Sequence, residues 1–122
     1  MIYTLTASPT LDLLMTLTST LDAGGTYRAE SEEIRPGGRG INISIMLKNL
    51  GITSTAVGFV AGFSGDELMR LTSASGIKTG FIRVRKGRTR INLKLRDSDG
   101  AVTRINGLGP VVTDNDASYL YR

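Results

Sequence analysis

The stretch Pro36-Gly37-Gly38-Arg39-Gly40-Ile41-Asn42 decides the fold of this chain. Three glycines surround one basic residue, and an amphipathic run begins at Ile41 directly after them. Glycine lets the backbone approach a ligand closely, and a helix N-terminus offers unpaired N–H groups and a positive dipole end. The segment therefore predicts a loop, leading into a helix, that holds a small, polar, phosphorylated molecule.

The glycine loop matches neither of the two common nucleotide motifs. It lacks the Lys-Ser/Thr ending of a P-loop, and Ile43 stands where a dinucleotide fingerprint has its third glycine. On its own the loop is equally compatible with a flexible turn before a helix.

Composition excludes several classes of chemistry. The 122 residues contain no cysteine and no histidine, so disulfides, thiolate metal sites and Ser-His-Asp mechanisms are excluded within this chain. Neither a signal peptide nor an apolar run of membrane-spanning length is visible, which predicts a cytoplasmic protein of one domain with no membrane partner.

Positive charge is concentrated in one stretch. Seven bases and no acid lie between Arg83 and Arg96, which favours an anionic partner, from nucleic acid down to a sugar phosphate. A small basic nucleic-acid-binding β module is therefore the alternative function. No aromatic residue interleaves with these bases to stack on a nucleobase, so we expect no nucleic-acid partner.

Residue patterns predict a chain that alternates strands and helices. The first strand should be buried, and Asp66 and Glu67 should occupy the first turn of a helix. Asp12 should lie just past a break in the chain at residues 8–10, where a turn-capping aspartate is the alternative to a functional role. Gly51 and Gly76 follow helix ends as C′ residues. Strands are predicted at 2–7, 13–18, 27–34, 54–61, 81–84, 88–96 and 101–106, and helices at 41–50 and 65–74.

Residues 88–96 show the clearest alternation in the chain. Bases and Asn92 fall on one face and apolar residues on the other, and the turn at 97–100 should return the chain antiparallel. Near the end, Thr113 is a predicted N-cap of a helix that runs through Tyr119, Leu120 and Tyr121. A chain that stops as an amphipathic helix begins is expected to be part of a longer protein.

The ordered set of motifs resembles the N-terminal part of PfkB-type carbohydrate kinases, in the branch that contains 1-phosphofructokinases and tagatose-6-phosphate kinases. The resemblance covers essentially the whole chain. It rests on segments 2–4, 8–12, 36–42, 47–51, 58–66, 89–92 and 105–107.

The resemblance implies an α/β fold: an incomplete ribokinase-like α/β core with a small antiparallel β-sheet lid. Core segments are expected at about 1–7, 37–84 and 110–122, and lid strands at about 13–34 and 88–107. Family members transfer the γ-phosphate of ATP, with Mg²⁺, to a hydroxyl of a phosphorylated ketohexose.

Four residues are implied to form the pocket for the sugar. By resemblance, Asp12 binds sugar hydroxyls, Gly38 and Asn42 line the same pocket, and Asn92 adds a hydrogen bond. The family more often has asparagine where Ser8 stands.

Three arginines are implied to contact the phosphate that the substrate already carries. Arg39, where the family usually has lysine, would face this phosphate from the loop. Arg90, with Arg88, would clamp it from the lid, because a guanidinium fork suits phosphate oxygens. Arg83, Arg85, Lys86 and Arg96 are expected to be solvated.

The resemblance also implies what this chain lacks. Family members carry a distal Gly-x-Gly-Asp motif whose aspartate deprotonates the attacking hydroxyl, and no such segment occurs here. Asp66 is interpreted as a structural residue at a helix start. We therefore expect no catalytic residue, metal, ATP or Mg²⁺ site in these residues, little transfer by this chain alone, and a homodimer or larger assembly through the lid or exposed core.

Overall fold

A computed structural model describes residues 1–119 of the chain. Every predicted strand and helix has a counterpart, and one short strand, β5, was not predicted. In chain order the elements are β1 (Tyr3–Thr6), β2 (Thr10–Leu17), β3 (Ala29–Gly37), α1 (Arg39–Asn49), β4 (Thr55–Val60), α2 (Gly62–Ala74), β5 (Lys78–Thr79), β6 (Ile82–Arg83), β7 (Arg90–Arg96), β8 (Val102–Asn106) and α3 (Asp114–Ser118).

A parallel sheet forms the core. Strand β4 lies at its centre, with β1 along one side and β5 and β6 along the other, all parallel to it. Helices α1 and α2 supply Ile41 and Leu68, which pack with Ala56, Val60 and Ile77 in one buried cluster. Both long helices therefore cover the same face of the sheet, the one to which Ala56 and Val60 point.

The opposite face of the core sheet is only partly covered. Phe59 is buried there in a cluster against which Ala117 of the short α3 packs, but Tyr3 and Leu5 of β1 are 62% and 57% exposed. The prediction of a buried first strand is therefore wrong for this face. The physical reason is that α1 packs only on the side of β1 that carries Thr4 and Thr6.

The second sheet contains the strands that were predicted to form the lid, and we call it the lid sheet, or the lid. Its four strands lie in the order β3-β2-β7-β8, and its two outer pairings are antiparallel as expected. The central pairing of β2 with β7 is parallel, because the chain passes through the core sheet and both long helices before it returns. The predicted turn at Asp97 closes the β7–β8 hairpin through an Asp97 N–H bond to Ala101 O of 3.0 Å.

The ends of the helices test the predicted caps. Gly51 follows α1 with φ of +80° and Gly76 follows α2 with the same angle, as predicted for C′ glycines. Helix α2 begins at Gly62, so no acidic residue lies in its first turn. The predicted dipole role of Asp66 and Glu67 is therefore wrong. Asp66 instead pairs with Arg83, and Glu67 pairs with Arg70.

Helix α3 begins as predicted. The Thr113 hydroxyl accepts a hydrogen bond from Asp116 N–H at 3.1 Å, and the Asp116 carboxylate accepts one from Thr113 N–H at 3.0 Å. These two bonds form a capping box. The predicted continuation through Leu120 and Tyr121 lies outside the described residues. Within residues 1–119, no helix combines the length and the apolar character needed to cross a lipid bilayer.

Candidate functional site

Asp12 lies within strand β2, in the middle of the lid sheet. Its register partners are Arg35 on β3 and Asn92 on β7, so the three side chains project from the same face. Strand β2 begins at Thr10, three residues before the strand predicted at 13–18, because hydrogen-bonded pairing on both sides extends it. Asp12 therefore lies within the strand, and the alternative of a turn-capping aspartate does not hold. The consequence is a carboxylate held on a sheet rather than on a loop.

Two neighbours fix the Asp12 carboxylate. The Thr10 hydroxyl donates a hydrogen bond of 2.8 Å to Asp12 Oδ1. A Cβ added to Gly37 would overlap both Asp12 Oδ2 and Thr10 Oγ1 and would lie 2.8 Å from Asp12 Cγ. The carboxylate therefore fills a space that only glycine at position 37 leaves open.

Arg35 does not neutralise Asp12. Its guanidinium makes two hydrogen bonds of 2.7 Å to the Glu33 carboxylate, one to each oxygen. These bonds from Arg35 lower the pKa of Glu33 and raise the pKa of Arg35. Within residues 1–119 Asp12 makes no ion pair, so its charge remains available to a ligand.

Asn92 carries an orphaned acceptor beside Asp12. Its Oδ1 atom is buried and has no hydrogen-bond partner, and it is the one side-chain atom in the described part of the chain with this property. Buried polar groups are nearly always paired, and an unpaired one costs about 1–3 kcal/mol. A donor supplied by a ligand would satisfy Asn92 at this position.

The glycine loop joins the lid to the core. Gly38 is the N-cap of α1 with φ of +123°, a conformation that favours glycine. The Thr6 hydroxyl at the end of β1 accepts a hydrogen bond of 3.2 Å from Ile41 N–H. A Cβ on Gly40 would overlap this hydroxyl and lie 2.7 Å from Leu5 O. The N-terminus of α1 therefore packs tightly against β1. This places the helix N-terminus next to Gly37, the residue against which the Asp12 carboxylate lies.

Arg39 and Asn42 occupy the first turn of α1, and both are exposed. Residues three apart share one side of a helix, so the two side chains leave α1 in a similar direction. Asn42 N–H donates to Gly38 O at 3.0 Å, which closes the first turn. This turn carries Gly38, Arg39 and Asn42 as one unit at the junction of core and lid.

Arg90 is the first residue of β7 and the register partner of Thr10. Its Nη1 donates a hydrogen bond of 2.7 Å to Gly107 O, just beyond β8. A Cβ on Gly109 would lie 3.2 Å from Arg90 Nη2 and 3.6 Å from Ser8 Oγ. The half-buried guanidinium is therefore anchored at one nitrogen on the face that carries Asp12.

Arg88 lies outside the strand that was predicted to include it. Strand β7 begins at Arg90, and the Arg88 guanidinium lies over the Phe63 ring, with Cζ 5.8 Å from the ring centroid. The reason is Thr89, which is completely buried and hydrogen-bonded to the start of α2 through Ala61 and Ser64. Arg88 is therefore drawn to α2, away from the strand face of Arg90.

The remaining bases of the 83–96 stretch are distributed over separate surfaces. Arg85 and Lys86 are exposed and line a cavity of about 680 Å³ beside α3. Lys94 and Arg96 line a cavity of about 440 Å³ on the polar lid face, with the Glu33–Arg35 pair. Arg83, Arg85, Lys86 and Arg96 are exposed, as predicted.

Sequence patterns did not identify Thr10, Gly37 or Thr6 as parts of this site. Gly37 belongs to the glycine stretch at residues 36–42, which predicted a ligand-binding loop. Its pairing with Thr10 on β2 could not be predicted from local sequence. In residues 1–119, no three acidic side chains gather as metal ligands.

Comparison with known proteins places the chain among sugar kinases. The family model described as "pfkB family carbohydrate kinase" matches residues 7–119. The 1-phosphofructokinase of Bacillus subtilis (strain 168) is 40% identical over 116 residues, which are 95% of this chain and 37% of that protein. The D-tagatose-1-phosphate kinase of Bacillus licheniformis is 35% identical over 93% of this chain and 36% of its own length.

Solved structures agree with this assignment. A Staphylococcus aureus protein assigned as a phosphofructokinase superposes with a TM-score of 0.88 and 39% identity, over 98% of this chain and 38% of that one. Phosphofructokinase-2 from Escherichia coli in complex with fructose-6-phosphate superposes with a TM-score of 0.87 and 27% identity, over 98% of this chain and 39% of that one. The tetrameric inhibited form of phosphofructokinase-2 from Escherichia coli superposes with a TM-score of 0.85 and 28% identity, again over 98% of this chain and 39% of that one. The chain thus spans less than two-fifths of the length of these relatives.

Proposed function

This chain belongs to the pfkB family of carbohydrate kinases, and from that premise we propose that it is the sugar-phosphate-binding and lid portion of a hexose-phosphate kinase. The substrate class is a ketohexose phosphate, such as fructose 1-phosphate or tagatose 6-phosphate. The observation that carries the proposal is the in-register pair of Asp12 and Asn92, in which a carboxylate lies beside a buried amide oxygen without a donor.

The hydroxyl groups of the sugar bind at this pair. Asp12 accepts a hydrogen bond from one hydroxyl, and Asn92 Oδ1 accepts one from a neighbouring hydroxyl. Two adjacent acceptors fit a ligand that offers two adjacent donors, as a sugar diol does. We assign Gly38 and Asn42 to the same pocket because Gly37, which lies against the Asp12 carboxylate, directly precedes Gly38 at the start of α1. A helix N-terminus leaves N–H groups free for further oxygens.

The phosphate of the substrate binds to arginine. Arg90 keeps nitrogens free after its bond to Gly107 O, and its planar fork can grip two phosphate oxygens. Arg39 adds a second positive charge at the helix N-terminus, where the helix dipole also favours an anion. Arg88 contributes only if its guanidinium leaves the Phe63 ring, so we assign it the smallest role.

Phosphoryl transfer by the family requires ATP and Mg²⁺, and residues 1–119 contain no group of three or more acidic side chains that could hold a metal ion by themselves. The chain also contains no Gly-x-Gly-Asp segment to supply the family's base. We therefore assign the 122 residues substrate binding and no phosphoryl transfer of their own.

Self-association through the lid completes the proposal. The face of the lid opposite Asp12 is apolar, and Ile34 and Ile105 on it are 49% and 56% exposed. A second copy of the chain would bury this face, because exposed apolar patches of this kind favour association.

Isothermal titration calorimetry tests the binding site. We expect saturable binding of fructose 1-phosphate or tagatose 6-phosphate, and much weaker binding of fructose and of inorganic phosphate. Asp12→Asn should weaken the binding of the sugar phosphates and leave the binding of inorganic phosphate unchanged. The matched control is Asp99→Asn, which removes one carboxylate from an exposed turn. Absence of saturable binding by any ketohexose phosphate would refute the proposal.

A further inference from the structure

Thr10 and Gly37 form a slot for the Asp12 carboxylate. Thr10 precedes Asp12 by two residues on β2, so both side chains project from the same face of the lid. Gly37 is the register partner of Thr10 on β3 and forms the floor beneath the two side chains. The Thr10 hydroxyl donates a hydrogen bond to Asp12 Oδ1. Gly37 has no side chain, and this leaves room for Asp12 Oδ2.

No other described group orients this carboxylate. Arg35, its register partner on β3, is engaged by both oxygens of Glu33. Asn92, its register partner on β7, makes no hydrogen bond to it and has an unpaired Oδ1. Within residues 1–119 the hydroxyl of Thr10 is the one donor to Asp12, so its removal frees the carboxylate to rotate.

We propose that Thr10, seated on Gly37, is a positioning residue that selects the carboxylate oxygen and orientation with which Asp12 receives a sugar hydroxyl. This inference rests on the proposed role of Asp12 in sugar binding. Because Thr10 acts through Asp12, its effect falls on recognition of the hydroxyls and not on capture of the phosphate by Arg90.

The test compares Thr10→Val, which replaces the hydroxyl by a methyl group, with Thr10→Ser, which retains it. A hydrogen bond to a charged group contributes enough for its loss to weaken binding roughly tenfold or more. We expect Thr10→Val to raise the Kd of fructose 1-phosphate about tenfold. Thr10→Ser should keep this Kd within about twofold of the value for the unaltered chain. Neither substitution should change the Kd of inorganic phosphate.

A double-mutant cycle separates positioning from a structural effect. In an Asp12→Ala background, Thr10→Val should cause no further loss of fructose 1-phosphate affinity. Gly37→Ala provides an independent route to the same result if Thr10→Val does not fold, because the added Cβ displaces the carboxylate. Gly37 lacks a positive φ, so this change acts through contact and not through backbone strain. Far-UV circular dichroism and thermal melts confirm that each variant is folded.

Each outcome decides the matter. If the unaltered chain binds fructose 1-phosphate and Thr10→Val and Gly37→Ala bind it equally well, the positioning role is wrong and the proposed function stands. An equal loss from Thr10→Val with and without Asp12 assigns Thr10 a merely structural role. If the unaltered chain binds no ketohexose phosphate, the proposed function fails and this inference fails with it.

Discussion

Replacing Arg90 separates phosphate recognition from general electrostatic attraction. The guanidinium has five N–H donors, and one nitrogen is committed to Gly107 O at 2.7 Å. Two of the remaining donors can form a parallel pair of charge-assisted bonds to a phosphate. Partial exposure reduces their net value to about 2–3 kcal/mol together. Arg90→Met should therefore raise the Kd of fructose 1-phosphate by about 30- to 150-fold.

Calorimetry at two salt concentrations provides the assay. Arg90→Lys retains the charge but loses the fork, so we expect an intermediate loss and a similar salt dependence. The matched control is Lys94→Met, which removes one charge from the same strand and face, four residues further along β7. Binding of unphosphorylated fructose, which does not use the fork, should be unchanged by all three substitutions.

Two results would contradict the role of Arg90. An equal loss from Lys94→Met would mean that the lid attracts anions through net charge alone. A large fall in the free energy of unfolding of Arg90→Met, with unchanged Kd per folded molecule, would mean that Arg90 only anchors the loop at Gly107.

Three further predictions concern the core, the C-terminal cap and self-association. Ile41→Ala should lower the free energy of unfolding in urea by about 2–5 kcal/mol, because Ile41 is fully buried, whereas Ile43→Ala, at a residue 40% exposed, should cost less than about 1 kcal/mol. The pKa of Asp116 is lowered mainly by the hydrogen bond from the Thr113 backbone N–H, and further by the hydrogen bond with the Thr113 side chain and by the positive charge of Arg85. The α3 cap should therefore hold above the unfolded pKa of this carboxyl and be lost as pH falls through the lower folded value, below about pH 4. Amide exchange of residues 114–118 measures this loss, and an unchanged pH dependence in Asp116→Asn would contradict the assignment. Ile34→Arg and Ile105→Arg should each lower the molar mass in light scattering, and a mass unaffected by both would exclude the lid face as the interface.

Local sequence signals predicted the parts of the fold that local interactions determine. The glycine at position 51 ended α1 because a C′ residue with positive φ is a requirement of the helix end itself. The turn at Asp97 and the N-cap at Thr113 were readable for the same reason, since the hydrogen bonds that Asp97 and Thr113 make there join residues within four positions of each other.

The errors lie where distant residues determine local structure. Helix α2 starts at Gly62 because Thr89 holds its first turn, accepting hydrogen bonds from Ala61 N–H, 28 residues away, and from the Ser64 hydroxyl, 25 residues away. Asp12, of a type that is poorly suited to strands, is nevertheless in β2 because strands pair with it on both sides. The same pairing assembled the Thr10–Gly37 slot, which no spacing along the chain could have indicated.

The parallel pairing of β2 with β7 has a direct consequence for the ligand. It places Arg90 one pleat closer to the core than Asn92, and two residues along a strand span about 6.6 Å. One hexose phosphate can bridge that interval, with its hydroxyls at Asp12 and Asn92 and its phosphate at Arg90. Free phosphate reaches only the arginine and a free sugar only the acceptors, so each should bind far more weakly than the ester. A shift of β7 by two residues would remove Asn92 from its place beside Asp12, so the proposed site depends on the observed register of the two strands.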